Sequence, residues 1–350
     1  MRRGLKISLV TVASAALTLA ASGCGGQEAD TGGGGDSETM KVGLAYDIGG
    51  RGDQSFNDSA ARGLDRAKKE LGVETEEISA KPDESDADKE SRLRLMANQG
   101  VNPIMGIGFA YTAAVNKVAK EFPDTKFLVV DADGCKVEGP NVAAACFAEA
   151  EGSYLVGAAA ALKSETGKIG FIGGVNVPLI QRFQAGYEAG AKKAKSDIEI
   201  LPAKYLTQPP NFNGFQDTSL GNEAAKGQLD QDADVIYHAA GAAGIGVIKT
   251  VGAAGKWVIG VDSDQYNQPA VAGVKDQILT SMVKNVDVAV FDFIKSVNDD
   301  QFKAGSKVYD LKSGGISYST SGGNVDDIKD QLEKLKAQII SGEIKVPEKP

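Results

Sequence analysis

Short apolar runs alternate with amphipathic helical stretches along this chain, and the alternation begins again half-way. After residue 40 come β-rich "KVGLAY" (41–46), a helix with Ala60, Leu64, Ala67 and Leu71 on one stripe, strand-like "VETEEIS", and helical "ADKESRLRLMANQG". Apolar "PIMGIG" (103–108), helical "TAAVNKVAKEF" and apolar "KFLVVDA" (126–132) complete the first series. A second series opens with the small-residue helix "EGSYLVGAAAALKSE" (151–165) and the strand "KIGFIGG" (168–174). It continues with the helix 178–196, led by Pro178, and the strands "DVIYHAAG" (234–241) and "KWVIGVD" (256–262). Such alternation implies βαβ units, and therefore parallel sheets with helices on both faces. About 310 residues in two series exceed one hydrophobic core, so two α/β lobes of similar plan are expected. The tail then reads strand (278–285), helix, the β-like "SKVYDLKSGGISYST" and a final helix, an order that would shuttle between lobes and form a hinge. The expected lobes are 41–149 plus about 285–305, and 150–284 plus about 306–350.

The first residues read as an address. Arg2, Arg3 and Lys6 precede the apolar run Ile7 to Ala21, which is short for a membrane span and ends in small residues before Cys24. "AASGC" resembles the bacterial lipobox, in which the cysteine thiol receives a diacylglycerol; the alternative is ordinary secretion with Cys24 a bystander. Residues 1–23 are thus expected to be a signal peptide, and the Gly-rich, acidic stretch 24–40 a flexible tether. A lipid at Cys24 would anchor the protein to the outer face of the cell membrane without a transmembrane helix. Loss of residues 1–23 removes three basic residues, leaving 35 basic against 47 acidic residues and a net charge of −12. An acidic body argues against nucleic acid as a partner. Export also permits a disulfide between Cys135 and Cys146, the alternative being two unpaired buried thiols.

Ligands of open parallel sheets sit outside the carboxyl ends of the strands. Here those ends carry Asp47, Gly108, Asp131, Gly173-Gly174, Gly241 and Asp262. Familiar catalytic and metal-binding patterns are missing: there is no P-loop lysine, no nucleophile elbow and no zinc spacing, and the single histidine, His238, lies in an apolar strand. No enzyme activity, cofactor or metal is therefore expected. "RGD" at Arg51 to Asp53 is too short to carry information. Phe56 and Phe183 follow the first strand of their lobes at comparable distances, and facing rings would make a slot for a flat heterocycle. Phe183 also continues an apolar stripe with Tyr187, Ala191 and Ala194, which equally suits core packing. Ser55 and Asp58 have capping-box spacing, which would place Phe56 and Asn57 at the first helical positions.

"DIGGRGDQSFNDSAARGL" (47–64) resembles the signature of the Bmp/Med family of basic membrane lipoproteins, which includes purine nucleoside receptors of ABC importers. Segments 122–132, 147–161, 168–190, 234–244, 257–265, 278–290 and 339–347 are similar in the same order. The resemblance implies a type I periplasmic-binding-protein fold, two Rossmann-like lobes joined by a multi-strand hinge, closing around a ligand. It implies a base stacked between Phe56 and Phe183, its edge read by Asn57 and Asp131, and ribose hydroxyls bound by Asp262 and Lys284 with help from Asp47 and the backbone near Gly241. The implied ligand is a purine nucleoside such as inosine, guanosine or adenosine, and the implied partner an ABC permease served by a monomeric receptor; the alternative is a receptor of the same fold for another small solute, a sugar or a signalling molecule, since sugars also stack on aromatic rings. The loop 207–219 offers Phe212 and Phe215 as further aromatics.

Overall fold

The computed structural model describes residues 39–81 and 84–350. The expected signal peptide, the tether as far as residue 38, and the lipid site at Cys24 lie outside the described residues. The first lobe is built from β1 (Lys41–Ala45), α1 (Phe56–Leu71), β2 (Glu74–Ile78), α2 (Asp86–Asn98), β3 (Ile104–Ile107), α3 (Thr112–Glu121), β4 (Phe127–Val130) and β5 (Val142–Phe147). The second follows with α4 (Glu149–Lys163), β6 (Lys168–Val175), α5 (Pro178–Ala194), β7 (Glu199–Ile200), β8 (Lys204–Thr207) and α6 (Thr218–Leu229). It continues through β9 (Val235–Ala239), α7 (Gly244–Ala253), β10 (Trp257–Asp262) and β11 (Ile278–Lys284). The tail adds α8 (Val286–Asn298), β12 (Gly305–Tyr309), β13 (Ile316–Tyr318) and α9 (Lys329–Ile340).

The two sheets share one plan. Their strand orders are β2-β1-β3-β4-β5-β12 and β7-β6-β9-β10-β11-β13, with β8 also pairing β6. Apart from the antiparallel pair β11–β13, every pairing is parallel. This is the doubly wound arrangement that the alternating pattern predicts, and the central strands are buried from end to end. The β-like stretch 306–320 is divided between the sheets. Residues 305–309 pair with β5 in the first lobe, where the sequence reading placed about 306 onward in the second, and 316–318 pair with β11. Among the described residues the chain thus crosses between lobes three times: after Phe147, after Lys284, and between Tyr309 and Ile316.

Small residues in α4 and α5 have a specific use. A Cβ at Gly157 would lie 2.0 Å from the Tyr187 carbonyl oxygen, at Gly186 2.1 Å from that of Ala150, and at Gly190 1.9 Å from that of Tyr154. The two helices therefore meet backbone to backbone, which explains why α4 is apolar almost all round: it is covered by α5, β11, β13 and α9. Cys135 and Cys146 form a disulfide that ties the segment after β4 to β5. Gly190→Ala should lower stability by about 1–3 kcal/mol, because neither backbone can yield. Gly227→Ala, on α6 with nothing within 4 Å of its added carbon, should be neutral or slightly stabilising. Thermal unfolding of both variants checks this; equal melting temperatures would contradict the close packing.

Candidate ligand site in the interlobe cleft

The turn between β1 and α1 is held by two carboxylates. Asp53 accepts from the backbone N–H groups of Ser55 (2.9 Å), Asn57 (2.8 Å) and Asp58 (3.0 Å), and so caps the helix. Asp58 accepts from Gly52 N–H (2.6 Å) and Gln54 N–H (3.0 Å). The expected Ser55/Asp58 capping box is not formed, and the Ser55 side chain makes no cap bond. A charged acceptor binds backbone amides more strongly than a hydroxyl, so Asp53 takes that role. The Ser55 hydroxyl is freed to donate across the cleft to Asp262 Oδ2 at 2.6 Å. Helix α1 still begins at Phe56, as the spacing suggested. Arg51 pairs with Asp65 and Glu77 while Asp53 is buried, so the RGD tripeptide is consumed by the fold.

All eight expected contact residues line one cavity between the lobes. The first lobe contributes Asp47 after β1, Phe56 and Asn57 at the start of α1, and Asp131 after β4. The second contributes Phe183 from α5, Gly241 after β9, Asp262 at the end of β10 and Lys284 at the end of β11. In each lobe the cavity opens at the switch point, where the order turns from one side of the sheet to the other: between β1 and β3, and between β6 and β9. Gly108, at the end of β3, has φ +105° and lies so close to Asp47 that a Cβ would sit 2.3 Å from its Oδ2. Asp131, just after β4, and Asp262, the last residue of β10, hold the same place in the two lobes, each at positive φ (62° and 63°) at the carboxyl end of the fourth strand in its sheet order. Such backbone costs roughly 1–3 kcal/mol each and persists only where surrounding structure enforces it.

Lys284 stands at the floor. Its ammonium donates to Asp131 Oδ2 at 2.6 Å and to Glu149 Oε1 at 3.1 Å, and lies 5.4 Å from the Phe56 ring and 5.7 Å from the Phe183 ring. Phe183 belongs to the apolar core and to the cavity wall at once, so its two readings are compatible. The other oxygen of Asp131, Oδ1, is buried without a hydrogen-bond partner. Asn57 differs from expectation. Its amide oxygen accepts from Asp47 N–H, and its NH2 group donates to Asp53 and to the Ile48 carbonyl. With both donors engaged, it fixes the turn and has no N–H left to offer an incoming group. His238 is fully buried, bonds Gln265 through Nε2, and is pushed down to about 4 by burial, as befits a neutral core histidine.

Comparison with known proteins shows the family and the fold. The family model "Bmp: ABC transporter substrate-binding protein PnrA-like" matches residues 40–350. The chain belongs to the Bmp family. It is 33% identical to "ABC transporter nucleoside-binding protein BmpA" of Lactococcus lactis, with 99% of each chain covered. It is 34% identical to an "uncharacterized lipoprotein" of Pyrococcus abyssi, covering 90% of this chain and 76% of that one. A crystal structure of an ABC transporter solute-binding protein from Aeropyrum pernix superimposes with a TM-score of 0.75 at 31% identity, covering 88% of this chain and 94% of that one. The fold is that of type I periplasmic binding proteins, and the family's role, substrate binding for ABC transporters, is not an enzymatic one.

For a Bmp-family cleft the sequence reading had overlooked several residues. Asp53 was hidden by its tripeptide, and Phe109 sits one residue beyond the strand-end Gly108; it lines the cavity and meets Phe212 of the second lobe edge-on at 5.9 Å. Phe215 lines the cavity as the loop composition allowed, whereas Phe212 lines only a neighbouring cavity that shares Asp47, Phe109 and Phe215 with it. Among the described residues no helix could cross a membrane and no cluster could hold a metal.

Burial pushes Asp47 and Asp262 up to about 6, with Lys284 and the Ser55 hydroxyl only partly offsetting it at Asp262. Both values exceed the ordinary carboxylate value, so these groups bind protons more tightly in the folded state. Their contribution favours the fold at low pH and is lost as pH rises through about 6. The melting temperature without ligand should therefore rise as pH falls from 7.5 to 5, and Asp262→Asn should flatten that rise. An unchanged pH slope in the variant would contradict the assignment. Separately, Asp53→Ala leaves three backbone N–H groups without their acceptor and should cost about 2–4 kcal/mol, read by denaturant unfolding.

Proposed function

We propose that this substrate-binding protein captures a purine nucleoside between its lobes and delivers it to an ABC import permease, working as a monomer from a lipid anchor at Cys24 on the outer face of the cell membrane. The observation that carries the reading is a pair of rings from opposite lobes, Phe56 and Phe183, flanking one ammonium at the floor of one cavity. A flat base slides between such rings, gaining roughly 1–3 kcal/mol by stacking while remaining tolerant of its identity. The unpartnered Asp131 oxygen is an acceptor for a ring N–H or an exocyclic amine. Asp262 and the remaining N–H of Lys284 suit the ribose hydroxyls, with Asp47 and the backbone at Gly241 assisting. Asn57 contributes by holding Asp47 and the turn. The name of the Lactococcus relative and the lipoprotein name of the Pyrococcus one lend support from outside the chain.

Calorimetric titration of the delipidated protein with inosine, guanosine and adenosine is expected to give tight binding. Phe56→Ala and Phe183→Ala should each weaken it by roughly 5- to 150-fold, the factor equivalent to the stacking energy. Asp131→Ala should weaken it further for bases that carry a ring N–H. Heat with a free sugar and none with any nucleoside would overturn the reading. Mass spectrometry of the exported protein tests the anchor: a diacylglycerol on Cys24 is expected, and cleavage elsewhere with a free thiol would refute it.

A further inference from the structure

Glu149 lies outside the expected ligand set and does not line the cavity, yet it is completely buried at a decisive place. It is the first residue of α4, where the chain has just left β5 and the first lobe. Its Oε1 accepts from Lys284 Nζ at 3.1 Å and its Oε2 from Arg182 Nε at 2.9 Å. Lys284 is itself the last residue of β11, immediately before the chain crosses back to α8. Four charges thus alternate in a line from α5 to the first lobe: Arg182, Glu149, Lys284, Asp131. Within this line two acids alternate with two bases, so each charge has a hydrogen-bonded partner of opposite sign, the condition under which burial of such groups is tolerable.

Donor arithmetic gives the line a purpose. An ammonium has three N–H groups. One goes to Asp131 and one to Glu149, so one remains. Asp131 in turn keeps Oδ1 unpartnered. Without Glu149, Asp131 would be the ammonium's one remaining hydrogen-bonded carboxylate, with nothing opposite to hold Nζ away from its second oxygen.

We propose that Glu149 and Arg182 are positioning residues, holding the Lys284 ammonium at the hinge so that one of its N–H groups and one Asp131 oxygen stay available to the ligand. This rests on the reading that Lys284 and Asp131 touch the ligand. The charged groups facing Lys284 are Asp131 from the end of β4, Glu149 from α4 and Asp262 from β10, with Arg182 of α5 behind Glu149. Burial works against the charged ammonium, and Asp131 with Glu149 outweighs it, keeping the group protonated.

The test follows the Lys284 ammonium directly, by NMR titration of side-chain ¹³Cε in the full-length delipidated protein, alongside affinity from pH 7 to 9.5 for adenosine, whose base carries no group that titrates in that range. In the wild type, affinity should be flat across that range. Glu149→Gln should move the Lys284 titration downward, weaken adenosine about tenfold at pH 7, and lose more as pH rises, since a neutral amine donates less well. Arg182→Gln removes a positive charge and should move the titration upward, with a smaller loss of affinity; it also serves if Glu149→Gln does not fold. A Lys284 titration that stays put in the folded variants, or a folded Glu149→Gln with wild-type affinity and pH profile, would overturn the proposal. A wild type that binds no nucleoside would refute the nucleoside reading instead, and the Lys284 titration would still decide the role of Glu149.

Discussion

The ammonium of Lys284, buried between Asp131 of one lobe and Glu149 at the crossing to the other, is the contact around which the cleft is arranged. A buried charge is tolerated only if its partners are fixed. Here each partner is fixed by something different: Asp131 by a positive-φ turn after β4, Glu149 by the first turn of α4 and by Arg182. The rings of Phe56, Phe147 and Phe183 all lie within 5.7 Å of the ammonium. The apolar slot and the polar floor are therefore one construction, and neither lobe contains it alone.

A second set of contacts closes the cleft beside this floor. Ser55 donates to Asp262, Ser263 Oγ donates to the Ser55 carbonyl, and Arg62 reaches Ser263. This seam exists because Asp53 has taken over the capping of α1. The same turn thus fixes the position of Phe56 and supplies the hydroxyl that meets the opposite lobe. Local helix chemistry and interlobe closure are coupled through three consecutive residues, Asp53 to Ser55, with the Gln54 backbone carbonyl accepting from the Gln265 amide.

Much of this was legible in the sequence because parallel α/β folds confine ligand-facing residues to strand ends. Asp47, Asp131, Gly241 and Asp262 were found by that rule alone, and the rule works because only there does the backbone leave the sheet. What escaped it depended on competition between acceptors. Ser55 and Asp58 carry capping-box spacing, but spacing says nothing about a better acceptor two residues upstream or a buried carboxylate 207 positions away. The amide of Asn57 was open to the solute by residue type and engaged by neighbours in fact. Glu149 gave no sequence signal at all, since a glutamate opening a helix is ordinary.

The sequence by itself determined the two lobes, the alternation of strands and helices, the strand-end carboxylates and the resemblance to the Bmp family, because periodicity and local motifs are properties of neighbouring residues. Only the tertiary structure decided that β12 and β13 part company into different sheets, that Cys135 and Cys146 join, and that Arg182, Glu149, Lys284 and Asp131 align. Those outcomes depend on which distant groups share a buried volume. There, a donor must find an acceptor and a charge its counter-charge, and the pairing that satisfies all of them together cannot be read from any one segment.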